Sequence, residues 1–363
     1  MNLVISLDYE VYFGPRSGDV DSTLIQPTAA LAALARRHGV PLVFFVDVLF
    51  LLRLREQARA HPLLQRAHDA VATQLQALVA AGHELQLHLH PHWLDAHWTG
   101  DRWQMDMRRY RLHALDDATL AQTVRAGADA LRQFGGPVTA FRAGGWCLQP
   151  FDRLRAPLLA AGITIDSTVY AGGMQRGEPP ADAGFDFRCA PELGHWTFDS
   201  DPLQPVPGGP FLEVPISSHP VSPLFFWRLA ALRRLGPILG GARHRAAGNG
   251  QPMALARGEL VRKLLWPSVS VVSIDGLKAT FLQAAWQRHQ RLGRSDFVVI
   301  GHPKAFTPYS LARLDNFLAR RQHSHQSGLD GYRGLIAARP PAQWPDRPPL
   351  PGRPPAAQSR PSA

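Results

Sequence analysis

Short apolar runs of strand length alternate along most of the chain with longer stretches of helical period, and glycine or proline punctuates the junctions. Residues 3–7 and 41–46 read as buried strands, with an alanine- and leucine-rich helix over 27–38 between them, closed by Gly39. Residues 53–81 carry a helical pattern interrupted at His61-Pro62. A strict alternation then begins after Gly82. Period two sends Leu85, Leu87 and Leu89 to one face and Glu84, Gln86, His88, His90 and His92 towards the other, until Pro91 ends the strand. Further on, Asp116 or Asp117 caps a helix reaching Phe134, and strands are expected at 138–141, 163–165, 211–216, 268–274 and 296–300, with a helix over 277–292. Repeated strand, helix, strand units predict an α/β fold with a largely parallel sheet.

Three stretches break the pattern. Residues 93–111 are aromatic and charged without a clean period, which suits a loop over a site, and 171–209 are irregular. Residues 223–265 open on Leu224-Phe225-Phe226-Trp227 and continue with alternating leucine and arginine. That reads as a helical insertion packed on the protein's own barrel, with peripheral contact to an anionic membrane through 224–263 as the alternative. Residues 339–363 are rich in proline, alanine and arginine and read as a disordered tail, leaving 1–338 as one domain.

Composition changes this picture little. A chain of 363 residues with 45% hydrophobic content can bury a sizeable core. No run approaches the ~20 apolar residues of a membrane span, and residues 1–7 read as a first strand, not a signal peptide, so a cytoplasmic protein is expected, peripheral at the inner membrane surface if the insertion touches lipid. Cys147 and Cys189 cannot build a disulfide framework or a zinc finger. The net charge of +10 comes from dispersed arginines, with no nucleic-acid motif.

The chemistry gathers where strands stop. Asp8-Tyr9-Glu10, the histidines at 88, 90 and 92, Arg142-Ala143-Gly144-Gly145, Asp166-Ser167-Thr168 and Gly301-His302 each follow an expected strand. Barrels and open α/β sheets carry their sites there, and imidazole is the commonest neutral metal ligand. Alternation alone permits His88 to act with either His90 or His92.

Taken in order, these motifs resemble those of the polysaccharide deacetylase superfamily, the NodB-like carbohydrate esterases, over about residues 2–305. The resemblance implies a distorted (β/α) barrel of about seven strands with one divalent metal, Zn²⁺ first among them, at the strand C-termini. It makes Asp8 the catalytic base, Glu10 the metal carboxylate, and His88 and His92 the metal imidazoles. His302 becomes the acid that protonates the leaving amine, Arg142 the residue that orients the base, and Asp166 a supporting group for His302, while a backbone N–H after Arg142 helps to hold the oxyanion. The first motif departs from the family, whose two aspartates are adjacent, because Tyr9 separates Asp8 from Glu10. The implied activity is removal of an N-acyl group, most simply acetyl, from an amino sugar in a glycan or glycolipid precursor. The alternatives are an amidase or deformylase acting on a lipid-linked sugar or a non-sugar amide, and a glycan-binding protein without turnover.

Overall fold

The computed structural model describes residues 1–14, 16–177, 184–235, 241–251, 257–322 and 331–332. The tail expected at 339–363 lies outside them. Among the described residues the main sheet has eight strands: Asn2–Tyr9 (β1), Leu42–Asp47 (β2), Glu84–Leu89 (β3), Ala140–Ala143 (β4), Ile165–Asp166 (β5), Trp196–Phe198 (β6), Phe211–Glu213 (β7) and Asp296–Gly301 (β8). Their order is β6-β7-β5-β4-β3-β2-β1-β8. The edge strand β6 runs antiparallel to β7, and every other neighbouring pair is parallel. This is the distorted α/β barrel that the motifs implied, a curled sheet with helices on its outer face.

Alternation along β1 shows how the sheet is read from both sides. Leu3, Ile5 and Leu7 join the large cluster shared with the helices, whereas Val4 joins a second cluster inside the curl with Val43, Phe45, Ala140, Ile165, Leu212, Val298 and Tyr332. Because residues from six strands meet in that inner cluster, the sheet must curve around it. Ser6 and Asp8 share the inner face with Val4, and they lie towards the C-terminal mouth of the barrel.

Helix Gln26–His38 (α1) stops at Gly39, whose φ of 65° is the left-handed turn that glycine adopts freely. The helical stretch expected at 53–81 is two helices, Val48–Ala58 (α2) and Pro62–Ala80 (α3), with Pro62 opening the second. Asp116 caps Asp117–Arg132 (α4) by accepting the Thr119 N–H at 2.9 Å. Three expected strands move. The fourth runs 140–143 because parallel pairing sets Leu87 against Phe141 and His88 against Arg142, which places Arg142 inside the strand. Asp166 likewise sits within β5. The strand expected at 268–274 is Ser268–Val271, which leaves the barrel to form a hairpin with Ser218–Val221.

In the expected insertion, helix Pro223–Leu235 packs Phe225 against Phe281 at 4.7 Å and leaves Leu224 and Trp227 74% and 55% exposed. Among the described residues no helix is long and apolar enough to cross a membrane.

Asp296 pins the lower end of β8. Its carboxylate accepts from Asn2 Nδ2 at 2.8 Å and meets His195 Nδ1 at 2.6 Å. Burial raises its pKa, yet His195, Ser295 and Asn2 outweigh that and hold it below the usual value. A depressed carboxyl stabilises above its unfolded pKa and loses that contribution as pH falls through the folded one. Asp296→Asn should therefore lower stability by about 1–3 kcal/mol at neutral pH, and the gap to wild type should close in melts taken below about pH 3.9.

Candidate metal and acid–base site

The first motif is resolved by strand geometry. Tyr9 points to the helix side, where its hydroxyl donates to Gln74 Oε1 at 2.9 Å, so Asp8 and Glu10, two residues apart, both face the barrel mouth. The inserted tyrosine that separates the two carboxylates is what keeps them on one face.

Glu10, His88 and His90 bring one ligand atom each within 4.8 Å of one another, and all three residues are buried. Glu10 Oε2 lies 2.8 Å from His90 Nε2 and 3.3 Å from His88 Nε2, and the two imidazole nitrogens are 3.1 Å apart. Donors bonded tetrahedrally at about 2.0–2.1 Å to one zinc ion stand about 3.3 Å from each other, so the spacing fits a single ion. His88 Nδ1 is tied to the Arg142 carbonyl at 2.8 Å, which puts the proton on Nδ1 and leaves the Nε2 lone pair for a ligand. Burial holds His90 down to about 4, in the neutral form that ligates. Burial works the same way on His88, but Asp8, Glu10 and Asp47 overcome it and push that imidazole up to about 9. The spot calls for positive charge, and a cation meets that demand.

His92 stands outside this group, where the family spacing had placed it inside. Pro91 starts a short 3-10 turn, Pro91–Leu94, that carries the chain off the strand direction. The His92 ring stacks on Tyr110 at 5.9 Å and 15° and packs edge-on to Phe13 at 4.7 Å, and among the described residues neither nitrogen has a hydrogen-bond partner. His90, by contrast, keeps the period-two register with His88. Gly144 makes room for it: a Cβ there would come within 2.7 Å of the His90 ring and 2.5 Å of the Leu89 carbonyl.

Beside the three donors lie Asp8 and His302, the residues expected to act as base and acid. Arg142, 1% exposed, gives Nη1 to Asp8 Oδ1 at 2.6 Å, Nη2 to Ser6 Oγ at 2.8 Å and Nε to the Ser167 carbonyl at 2.8 Å, with its plane over Phe45. Asp8 Oδ2 remains towards His302, whose Nε2 is 3.6 Å away. The other His302 nitrogen meets Asp275 Oδ2 at 2.8 Å, and the same carboxylate accepts the His302 backbone N–H at 2.8 Å. Burial would lower the His302 pKa, but Asp275, Asp8 and Glu10 raise it above its ordinary value, which favours imidazolium.

The carboxylate in contact with His302 is thus Asp275, where Asp166 was expected. Asp166 turns to its own strand end, where it accepts the Thr168 N–H at 2.9 Å and the Thr168 hydroxyl at 2.8 Å, beside Glu213 of β7. Burial raises the pKa of both carboxyls. Thr168 in turn takes the Ala143 N–H at 2.9 Å, so that amide is not free to face an oxyanion.

No family model and no curated protein matches the sequence. Solved polysaccharide deacetylases are among the structures similar to this chain. One from Mycobacterium smegmatis, assigned as a polysaccharide deacetylase, has a TM-score of 0.48 at 14% identity, over 96% of this chain and 95% of its own. Another from Pseudomonas aeruginosa PAO1, assigned likewise, gives 0.44 at 13%, over 93% and 89%. An allantoinase gives 0.46 at 13%, over 94% and 91%. At this identity, what the site can do follows from its own atoms.

Proposed function

We propose that the protein is a metal-dependent hydrolase that removes an N-acyl group, most simply acetyl, from an amino sugar of a glycan or glycolipid precursor. The observation that carries this reading is the set of three ligand atoms about 3 Å apart with a carboxylate and an imidazole beside them, all at one barrel mouth. Glu10, His88 and His90 would hold Zn²⁺, which would supply Lewis acidity and lower the pKa of bound water towards ~7.

The chain's own residues handle the protons. Asp8, fixed through Oδ1 by Arg142, offers Oδ2 to the proton of the attacking water. His302, fixed through Nδ1 by Asp275, presents Nε2 to the leaving nitrogen and gives it the proton it needs to depart as an amine. The two groups act from opposite ends of one reaction, so each is held by its own partner. An amide needs this pair more than an activated ester does, because the amine is a poor leaving group until protonated. The half-buried rings of Phe13 and Trp146 near the mouth suit the apolar face of a sugar. A complete acid–base pair also argues against a binder without turnover.

Zinc-loaded protein assayed against a panel of N-acetylated saccharides should release acetate, lose that activity on chelation and regain it with added Zn²⁺. Release that ignores chelation, or saccharide binding with no acetate from any of them, would contradict the proposal.

A further inference from the structure

We propose that Lys304 is a positioning residue which binds one oxygen of Glu10, so that the carboxylate meets a divalent ion through its other oxygen alone. This rests on the metal reading of the site and adds to it a role for a lysine that the motifs did not single out.

The two oxygens of Glu10 have different surroundings. Oε2 faces the imidazoles, 2.8 Å from His90 Nε2 and 3.3 Å from His88 Nε2. Oε1 is turned to Lys304 Nζ at 3.0 Å. A carboxylate left to itself can close on an ion with both oxygens and fill a position that water or substrate needs. A charge-assisted bond to Oε1 opposes that closure.

Lys304 is built to hold its place. It is 7% exposed, and Nζ also donates to the Val11 carbonyl at 2.7 Å. The rings of Tyr12 and Phe13 flank Nζ at 5.0 and 4.7 Å. Its backbone carbonyl accepts the Tyr12 hydroxyl and the Gly248 N–H, both at 3.0 Å. A Cβ at Gly248 would stand 2.9 Å from that carbonyl and 2.8 Å from the Tyr12 ring, so only glycine lets the 248 backbone close over the turn. The same short turn, Pro303–Ala305, follows directly on His302. One loop therefore delivers the proton donor and fixes the metal carboxylate.

The test loads wild type and Lys304→Met with Co²⁺, whose visible absorption weakens as coordination number rises. Lys304→Met should bind Co²⁺ at least as tightly as wild type, because a nearby cation has gone and a second oxygen can bind. Its visible bands should lose intensity, and turnover should fall by about 10-fold or more. An unchanged spectrum, or a variant that loses Co²⁺ altogether, overturns the assignment. If Lys304→Met does not fold, Lys304→Gln keeps one donor for Oε1 and should retain the wild-type spectrum. A glutamine variant with weakened bands overturns the assignment equally. Wild type that binds no Co²⁺ instead removes the metal reading itself, which separates the two failures.

Discussion

Asp8→Asn is expected to lower turnover by about 10²-fold or more while bound metal stays near wild type. Asparagine keeps the shape and can still accept from Arg142, so the barrel mouth should hold its geometry, but it cannot take a proton from water. Asp8 is not one of the three grouped ligand residues, and its Oδ1 is committed to Arg142 at 2.6 Å. Kinetics on an N-acetylated saccharide and elemental analysis on the same sample separate the two roles. An Asp8→Asn protein that is empty of metal would make Asp8 a ligand, and the base would then have to be found elsewhere. Loss of the acid, as in His302→Ala, should give the same signature of retained metal and lost turnover. Asp275→Asn should give a milder form of it, because the imidazole stays but its orientation and charge are less well held.

The second large effect separates two neighbouring histidines. His90→Ala removes a donor that stands 2.8 Å from Glu10 Oε2, so metal affinity should fall by about 100-fold or more. His92→Ala removes a ring stacked on Tyr110 and packed on Phe13, so metal should be retained and the cost should fall on stability, about 1–3 kcal/mol for a buried ring. Isothermal titration with Zn²⁺ after chelator treatment reads the first quantity and thermal melting the second. The opposite assignment, metal lost with His92 and kept with His90, would restore the spacing that the family motif implies.

Strand-end chemistry was legible in the sequence because period two and apolar runs are local signals. Asp8, Glu10, His88, Arg142 and His302 do converge, and each could be placed by asking which face of which strand it shares. The α/β class followed from the same alternation. What the sequence concealed was long-range. Whether His90 or His92 joins His88 depends on how Pro91 turns the chain and on the space left by Gly144, more than fifty residues on. The missing partner of His302 was Asp275, which ends a stretch that looked like one strand from 268 to 274. There Ser268–Val271 peels into a hairpin while Ser273 bridges to Ile300, and only that path brings Asp275 to the mouth. Lys304 gave no signal beyond lying two residues past a histidine. Its meaning appears once β1 and β8 are paired side by side, with Leu7 against Gly301.

The most direct test of the site is an anomalous difference map at the zinc edge from crystals of the zinc-loaded protein. A single peak bonded to Glu10, His88 and His90, with His92 still stacked on Tyr110, is the predicted result. No peak at the barrel mouth, or a peak that takes His92 in place of His90, would contradict it.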